Sequence, residues 1–269
     1  MAVPEQRRTL ILKTLEERGS VSVVDLAERL AVSMMTIRRD LMELEKEGVL
    51  RRVHGGAVSA RGRAYEPVFP RRTDVMSSEK ARIGRSAVQM ISDGDTVALD
   101  VGTTALEVAR ALIGRQNVTV ITPSLHVANE LLGQPGVRLV VSGGIARPVE
   151  ASLIGELARH AFKRLFVDRL FLGVASIDAS HGISESNWDD ALIKQAMIAS
   201  AKEVVVVADS SKFRRVAFAH VADFGQVHRL ITDSEPPEEI RQALEDAGVQ
   251  ITIAGDSLPS QPRGPYLPV

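Results

Sequence analysis

Apolar residues near the amino terminus recur at helical spacing. Leu10, Ile11 and Leu15 fall on one side of a predicted first helix, which Gly19 closes. Ser22 and Asp25 have the spacing of a capping box, and Leu26, Ala27 and Leu30 share a face of the helix that follows. A turn through Ala31 and Val32 leads to Ser33, the expected N-cap of a third helix. There Ile37, Leu41 and Leu44 form a stripe expected to be buried. At about 100° per residue the opposite side carries Met35, Arg39 and Met42, flanked by Thr36 and Arg38. After Gly48 the period changes: Val49-Leu50-Arg51-Arg52-Val53 reads as a strand, His54-Gly55-Gly56 as a turn and Ala57-Val58 as the returning strand.

Farther along, the pattern is one of short apolar runs separated by helical segments. The stretch 61–78 contains Gly62, Pro67 and Pro70 among many charges and reads as a linker. Beyond it, strands are predicted at Thr96–Asp100, Val118–Ile121, Val137–Val141, Leu170–Gly173, Val204–Ala208, Leu230–Thr232 and Gln250–Ile253. Most are apolar throughout, as strands buried on both faces should be. The segments between them are mostly long enough for crossover helices, so the expected fold class is α/β with a mostly parallel sheet. Residues 1–60 then form a small helical head, 61–78 a linker, 79–255 the α/β body and 256–269 a disordered tail.

Three helices followed by a basic glycine-turn hairpin are the parts of a winged helix-turn-helix, in order. The early residues of a recognition helix meet base edges and phosphates in the major groove, and the wing lies beside the backbone. The candidate DNA contacts are therefore Ser33, Met35, Thr36, Arg38 and Arg39 on the third helix, with Arg51, Arg52 and His54 in the hairpin. Each has a plainer reading. Arg39 has Glu43 four residues on as an ion-pair partner, Arg38 suits a solvated surface, and His54 suits a turn. The basic wing at the right distance favours double-stranded DNA as the partner.

In an open α/β sheet, ligands bind at the carboxyl ends of the strands. Those ends are polar here: Asp100-Val-Gly-Thr-Thr, Thr122-Pro-Ser, Ser142-Gly-Gly and Asp209-Ser-Ser-Lys. Gly102-Thr103-Thr104 runs straight into a predicted helix, Ala105–Leu112, whose free amides suit an anion such as phosphate. Ser142, Gly143 and Gly144 allow a second wall close to a ligand, and Lys212 supplies a cation. Asp178 and Lys194 complete the candidate set, although Lys194 also reads as a surface helix residue and Asp100 as a cap.

Composition narrows the picture a little. At 269 residues the chain suits one large domain or two smaller ones. Its net charge of −1 hides an asymmetry: through Arg63 there are 12 basic and 9 acidic residues, and the remainder is correspondingly acidic. A basic head on an acidic body fits DNA binding. The absence of cysteine excludes disulfides, thiolate nucleophiles and cysteine-bound metals. No metal-ligand spacing is present and no cofactor is expected. Neither a signal peptide nor an apolar run long enough to span a bilayer is evident, so a cytoplasmic location is expected.

Residues 4 to 254 resemble the DeoR family of bacterial transcriptional regulators. The resemblance rests on Thr36-Ile-Arg-Arg-Asp-Leu41, Arg51-Arg-Val-His-Gly-Gly-Ala57, Asp100-Val-Gly-Thr-Thr104, Ser142-Gly-Gly144 and Ala208-Asp-Ser-Ser-Lys-Phe213. It implies a repressor of a carbohydrate operon, assembled as a homodimer or homotetramer. The implied body is ribose-5-phosphate-isomerase-like and binds a phosphorylated sugar or polyol. By the same resemblance Thr36, Arg38 and Arg39 match the DNA-reading helix, and Gly102, Thr103 and Thr104 the phosphate loop. Asp100, Gly143, Gly144, Lys194 and Lys212 match pocket positions. The chain departs from the family pattern at Pro123, where Asn is frequent, at Ser176, where Gly is usual, and at Ser184-Glu185-Ser186, where Thr is frequent. Met34 and Met35 occupy variable recognition positions.

The competing expectation is an enzyme, a sugar-phosphate isomerase with a DNA-binding head. Asp178 or Asp190 would then be the carboxylate base beside Lys194 or Lys212. Neither belongs to an acidic cluster, and no nucleophile–base pair occurs elsewhere, so no enzymatic activity is expected.

Overall fold

The computed structural model describes residues 4–18, 20–46, 49–53, 55–59 and 62–255. Gly19, Gly48, His54 and the expected tail at 256–269 lie outside the described residues. The chain divides into two units that meet in sequence between Tyr65 and Glu66.

The first unit packs three helices against a small sheet. Its elements are α1 (Pro4–Arg18), β1 (Ser20–Ser22), α2 (Val23–Leu30), α3 (Met34–Lys46), β2 (Leu50–Val53) and β3 (Gly56–Ser59). Ile11 and Leu15, Leu26 and Ala27, and Ile37, Leu41 and Leu44 meet in one core closed by Leu50 and Ala57. Leu10 is only half-buried and stays outside that core. The amide of Asp25 donates to Ser22 Oγ at the start of α2, and Ala31 ends the helix in the left-handed region at φ 50°. The strands pair antiparallel in the order β1-β3-β2. β1 is only three residues long, too short for its alternation to stand out, which is why the sequence pattern does not reveal it.

The second unit begins with α4 (Phe69–Asp74), inside the stretch expected to be a linker, and α5 (Ser77–Val88), which starts at the end of that stretch. Phe69 anchors α4 by stacking on His126, ring centroids 3.8 Å apart. There follow β4 (Thr96–Leu99), α6 (Thr103–Leu112), β5 (Val118–Thr122), α7 (Leu125–Leu131), β6 (Val137–Val141), β7 (Ile145–Arg147), β8 (Ser152–Ile154) and α8 (Glu156–Lys163). The rest are β9 (Val167–Leu172), β10 (Ser176–Asp178), β11 (Gly182–Glu185), α9 (Trp188–Ser200), β12 (Ala201–Val207), β13 (Ala219–Ala222), β14 (Arg229–Thr232), α10 (Glu238–Asp246) and β15 (Gln250–Ile253).

The seven predicted strands form one parallel sheet in the order β15-β14-β12-β9-β4-β5-β6. Alternate residues enter separate cores. Ala98, Leu170, Leu172, Val204 and Val206 face one layer of helices, whereas Val97, Leu99, Phe171, Val205 and Val207 face the other. Burial on both faces makes these strands continuously apolar. β9 begins at Val167 rather than Leu170, because its polar start is stitched to neighbours: Thr96 donates to Asp168, and Arg169 pairs with Glu203 at 2.9 Å.

Two smaller antiparallel sheets, β10-β11-β13 and β7-β8, stand apart from the parallel one. Strand order reverses between β4 and β9: β5 and β6 extend from one side of β4, then the chain returns to β9 on the other. The loops after β4 and β9 therefore part at a topological switch point, where such sheets open a crevice.

Candidate functional site

On the head, α3 separates its charges cleanly. Asp40 turns inward and takes a two-pronged ion pair from Arg7, at 2.8 Å from Nε and 3.1 Å from Nη2. Arg38 and Arg39 remain exposed and have no ion-pair partner among the described residues, so Arg39 does not pair with Glu43. Met35 is exposed beside them. Ser33 and Thr36 hold the helix start: the Thr36 amide donates to Ser33 Oγ at 3.2 Å, and the two hydroxyls are 2.9 Å apart. Arg52 is tied back to α3, its amide and Nε donating to Glu45 at 2.9 and 2.6 Å. It braces the wing, while Arg51, the preceding residue, points to the other face of the hairpin.

In the body, a cleft opens at the switch point. Val101, Gly102, Thr103 and Thr104 after β4 form one wall, and Gly173, Val174 and Ala175 after β9 form another. Gly173 is required there: a Cβ on it would stand 2.7 Å from the Val101 carbonyl oxygen. Gly102 begins α6 at φ 103°, and the amides of Thr103, Thr104 and Ala105 have no acceptor among the described residues. These amides and the positive end of the helix favour an anion. Lys212 lines the same cleft from the short helical turn Ser210–Lys212. Its ammonium has no hydrogen-bond or ion-pair partner among the described residues, and burial lowers its pKa.

The other cations of the cleft are already matched. Lys194 lies in the interior, 2% exposed, bound to Asp100, to the Gly173 carbonyl at 2.8 Å and to Glu185 at 3.4 Å. Burial opposes its charge, but Asp100 and Glu185 prevail and hold its pKa up at about 12. Burial pushes Asp100 up to about 6 against the pull of Lys194. Asp100 also accepts the Gly173 amide at 3.0 Å, so the pair ties the β4 and β9 ends together. Lys194 is thus no surface residue, and Asp100 sits behind the wall rather than on it.

Several cleft residues carry no signal in the local sequence pattern. Arg72 and Glu66 come from the stretch expected to be a linker, and Glu150 from the turn between β7 and β8. Arg72 pairs with Glu150. Arg147 bridges Glu66, at 2.7 Å, and Asp190. Lys80 fixes the end of α4 by donating to the carbonyls of Arg72 and Val75, each at 2.6 Å. Burial lowers its pKa to about 8, although Asp209 lies 3.7 Å away.

Other expected residues fall elsewhere. Ser142, Gly143 and Gly144 do not line this cleft. Gly144 packs on β8, where a Cβ would stand 2.5 Å from the Ile154 carbonyl oxygen, and Ser142 Oγ donates to the Gly143 carbonyl. Gly144 thus serves chain packing, whereas Gly143 adopts a left-handed φ of 71° with open space around it. Asp178 is also outside the cleft. It closes its own turn by accepting the amides of Ser180 and His181, both at 3.0 Å, with His181 Nδ1 2.8 Å away. The strand end Thr122-Pro123-Ser124 is covered by the hairpin, the Pro123 carbonyl accepting the Leu153 amide at 2.7 Å.

Family comparison accounts for both units. The model for the DeoR-like helix-turn-helix domain matches residues 7–62, and that for the DeoR C terminal sensor domain matches residues 75–234. The chain belongs to the DeoR family of transcriptional regulators. DeoR-family relatives align over nearly its whole length. The putative aga operon transcriptional repressor of Escherichia coli O157:H7 is 35% identical, across 93% of this chain and 94% of its own. The glycerol-3-phosphate regulon repressor of Escherichia coli K12 is 33% identical, across 92% and 98%. The transcriptional repressor AccR of Agrobacterium fabrum is 38% identical, across 86% and 90%. Among solved structures, ribose 5-phosphate isomerase A of Methanocaldococcus jannaschii overlaps 51% of this chain and 55% of its own at 20% identity and a TM-score of 0.39. That overlap is partial, and the strand order of the seven-stranded sheet defines the body. Among the described residues no helix is long and apolar enough to cross a membrane.

Proposed function

We propose that this DeoR-family regulator represses carbohydrate-metabolism genes by holding operator DNA through α3 and the β2–β3 wing. A phosphorylated sugar or polyol in the switch-point cleft modulates that hold. The observation that carries the ligand class is that Lys212, unpaired among the described residues, lines the same cleft as Thr103 and Thr104, whose amides are open. An anionic group satisfies both, and the surrounding carboxylates suit hydroxyls. The glycerol-3-phosphate regulon repressor and the aga operon repressor among the relatives are consistent with that class. A homodimer or homotetramer would present paired α3 helices to two half-sites. The isomerase reading is not favoured: Asp178 lies off the cleft, and Asp190 is held by Arg147.

The test is a thermal-shift panel of phosphorylated sugars and polyols, each beside its unphosphorylated form. Stabilisation by a phosphate ester and not by its parent alcohol is the expected result. A flat response from the folded protein would overturn the ligand class. The DNA-binding half has its own check. Replacing both Arg38 and Arg39 with Ala is expected to lower affinity for duplex DNA at least about tenfold. It should also make the salt dependence shallower, by about 0.9 in log–log slope for each phosphate no longer neutralised. Unchanged affinity and slope would return both arginines to the role of solvated surface charges.

A further inference from the structure

Glu150 is the one cleft carboxylate that combines near-complete burial, 2% exposed, with an unmet bonding capacity among the described residues. One of its oxygens, Oε2, takes the Arg72 guanidinium. The other, Oε1, is buried and has no hydrogen-bond partner among the described residues. Its position is informative: Oε1 lies 3.9 Å from where a Cβ on Gly102 would stand, beside the loop that opens α6. A carboxylate oxygen removed from water needs a donor, and leaving it without one is costly.

We infer that Glu150 reads a hydroxyl of the bound ester, on a carbon close to the phosphate, and so sets which polyol phosphates the cleft accepts. This rests on the phosphate site proposed above. The phosphate itself cannot occupy the place beside Oε1, because two anions there would repel each other. It belongs with Lys212 and the α6 amides, and the group that reaches Oε1 must donate a proton. Carboxylates make the stronger class of hydrogen bond to a hydroxyl, and the ion pair with Arg72 holds the Glu150 carboxylate in place. Arg72 in turn lies on α4, whose end Lys80 clamps, so Glu150 is held at a fixed distance from Gly102. Glu150 is therefore a specificity-determining residue that contacts the ligand.

The experiment titrates parent and Glu150→Gln protein with inorganic phosphate, sn-glycerol 3-phosphate, ribose 5-phosphate and glucose 6-phosphate by calorimetry. The two kinds of probe should move in opposite directions. Esters that bind the parent are expected to lose about tenfold or more in Kd, while inorganic phosphate binds as well or better once the negative charge is gone. A uniform loss of all probes would make Glu150 a merely structural residue and overturn the inference, as would unchanged ester affinity. If neither inorganic phosphate nor any ester bound the folded parent, the phosphate site itself would fall and this inference with it. Should Glu150→Gln not fold, Glu150→Asp keeps the charge and withdraws the carboxylate by one methylene, and is expected to weaken the esters while leaving inorganic phosphate unchanged; loss of both or of neither would overturn the inference.

Discussion

Thr103→Glu is expected to abolish stabilisation by phosphate esters and inorganic phosphate while leaving the fold and DNA binding in place. Thr103 stands in the first turn of α6, where an acidic side chain complements the helix dipole, so the helix keeps its stability. The same carboxylate would place a negative charge among the open amides and opposite Lys212, the position proposed for the phosphate. Repulsion replaces attraction, and a loss of about hundredfold in affinity, ~2.8 kcal/mol, is the minimum expected. Thermal shift with inorganic phosphate reads it directly. An unchanged response would remove the start of α6 from the binding site.

Lys194→Met should strike the body itself. Removing one partner of a buried ion pair leaves the other charge stranded, which typically costs ~3–5 kcal/mol. For a unit of this size that lowers the melting temperature by roughly 10 °C. Asp100 is the nearer stranded partner, with Glu185 the other. The folded pKa of Asp100, about 6 even with Lys194 present, exceeds that of the unfolded chain. A raised carboxylate contributes stability at low pH and loses it as pH rises through the folded value. Without Lys194 that folded value rises further, so the deficit of the variant is smallest near pH 4 and grows toward pH 8. Adding Asp100→Asn should recover part of the loss at neutral pH. Equal melting of parent and Lys194→Met at pH 8 would show that the pair does not hold the β4 and β9 ends.

The division between what the sequence discloses and what it hides follows from physical range. The inner strands of the parallel sheet are legible because burial on both faces writes a continuous apolar run, whereas the edge strands β6 and β15 are only partly buried. The α3 stripe is legible because Ile37, Leu41 and Leu44 repeat with the helix. By contrast β10 and β11, Ser176–Asp178 and Gly182–Glu185, are short and partly polar, and no periodicity distinguishes them from turns. The burial of Lys194 is legible too, since Ile193, Met197 and Ile198 flank it on a largely buried helix. The Glu66–Arg147 and Arg72–Glu150 pairs have no such signal. They join residues 81 and 78 positions apart, and only the completed chain path brings them together. Gly143-Gly144 has the composition of a ligand loop, and local sequence alone does not distinguish that role from the close packing of Gly144 on β8.

Glu150 stands on the β7–β8 hairpin, a two-stranded ribbon outside the seven-stranded sheet. Side chains such as Leu170 and Phe171 each serve the packing of a helical layer and are costly to change. Glu150 is buried as well, but its tie is to Arg72 in the cleft and not to a helical layer. If Glu150 selects the ligand, preference can therefore drift by substitutions around residues 148–151 while the grip on phosphate stays constant. The scaffold divides its labour between a fixed anchor and an exchangeable selector, and grafting the hairpin between family members becomes a route to sensors with new inducers.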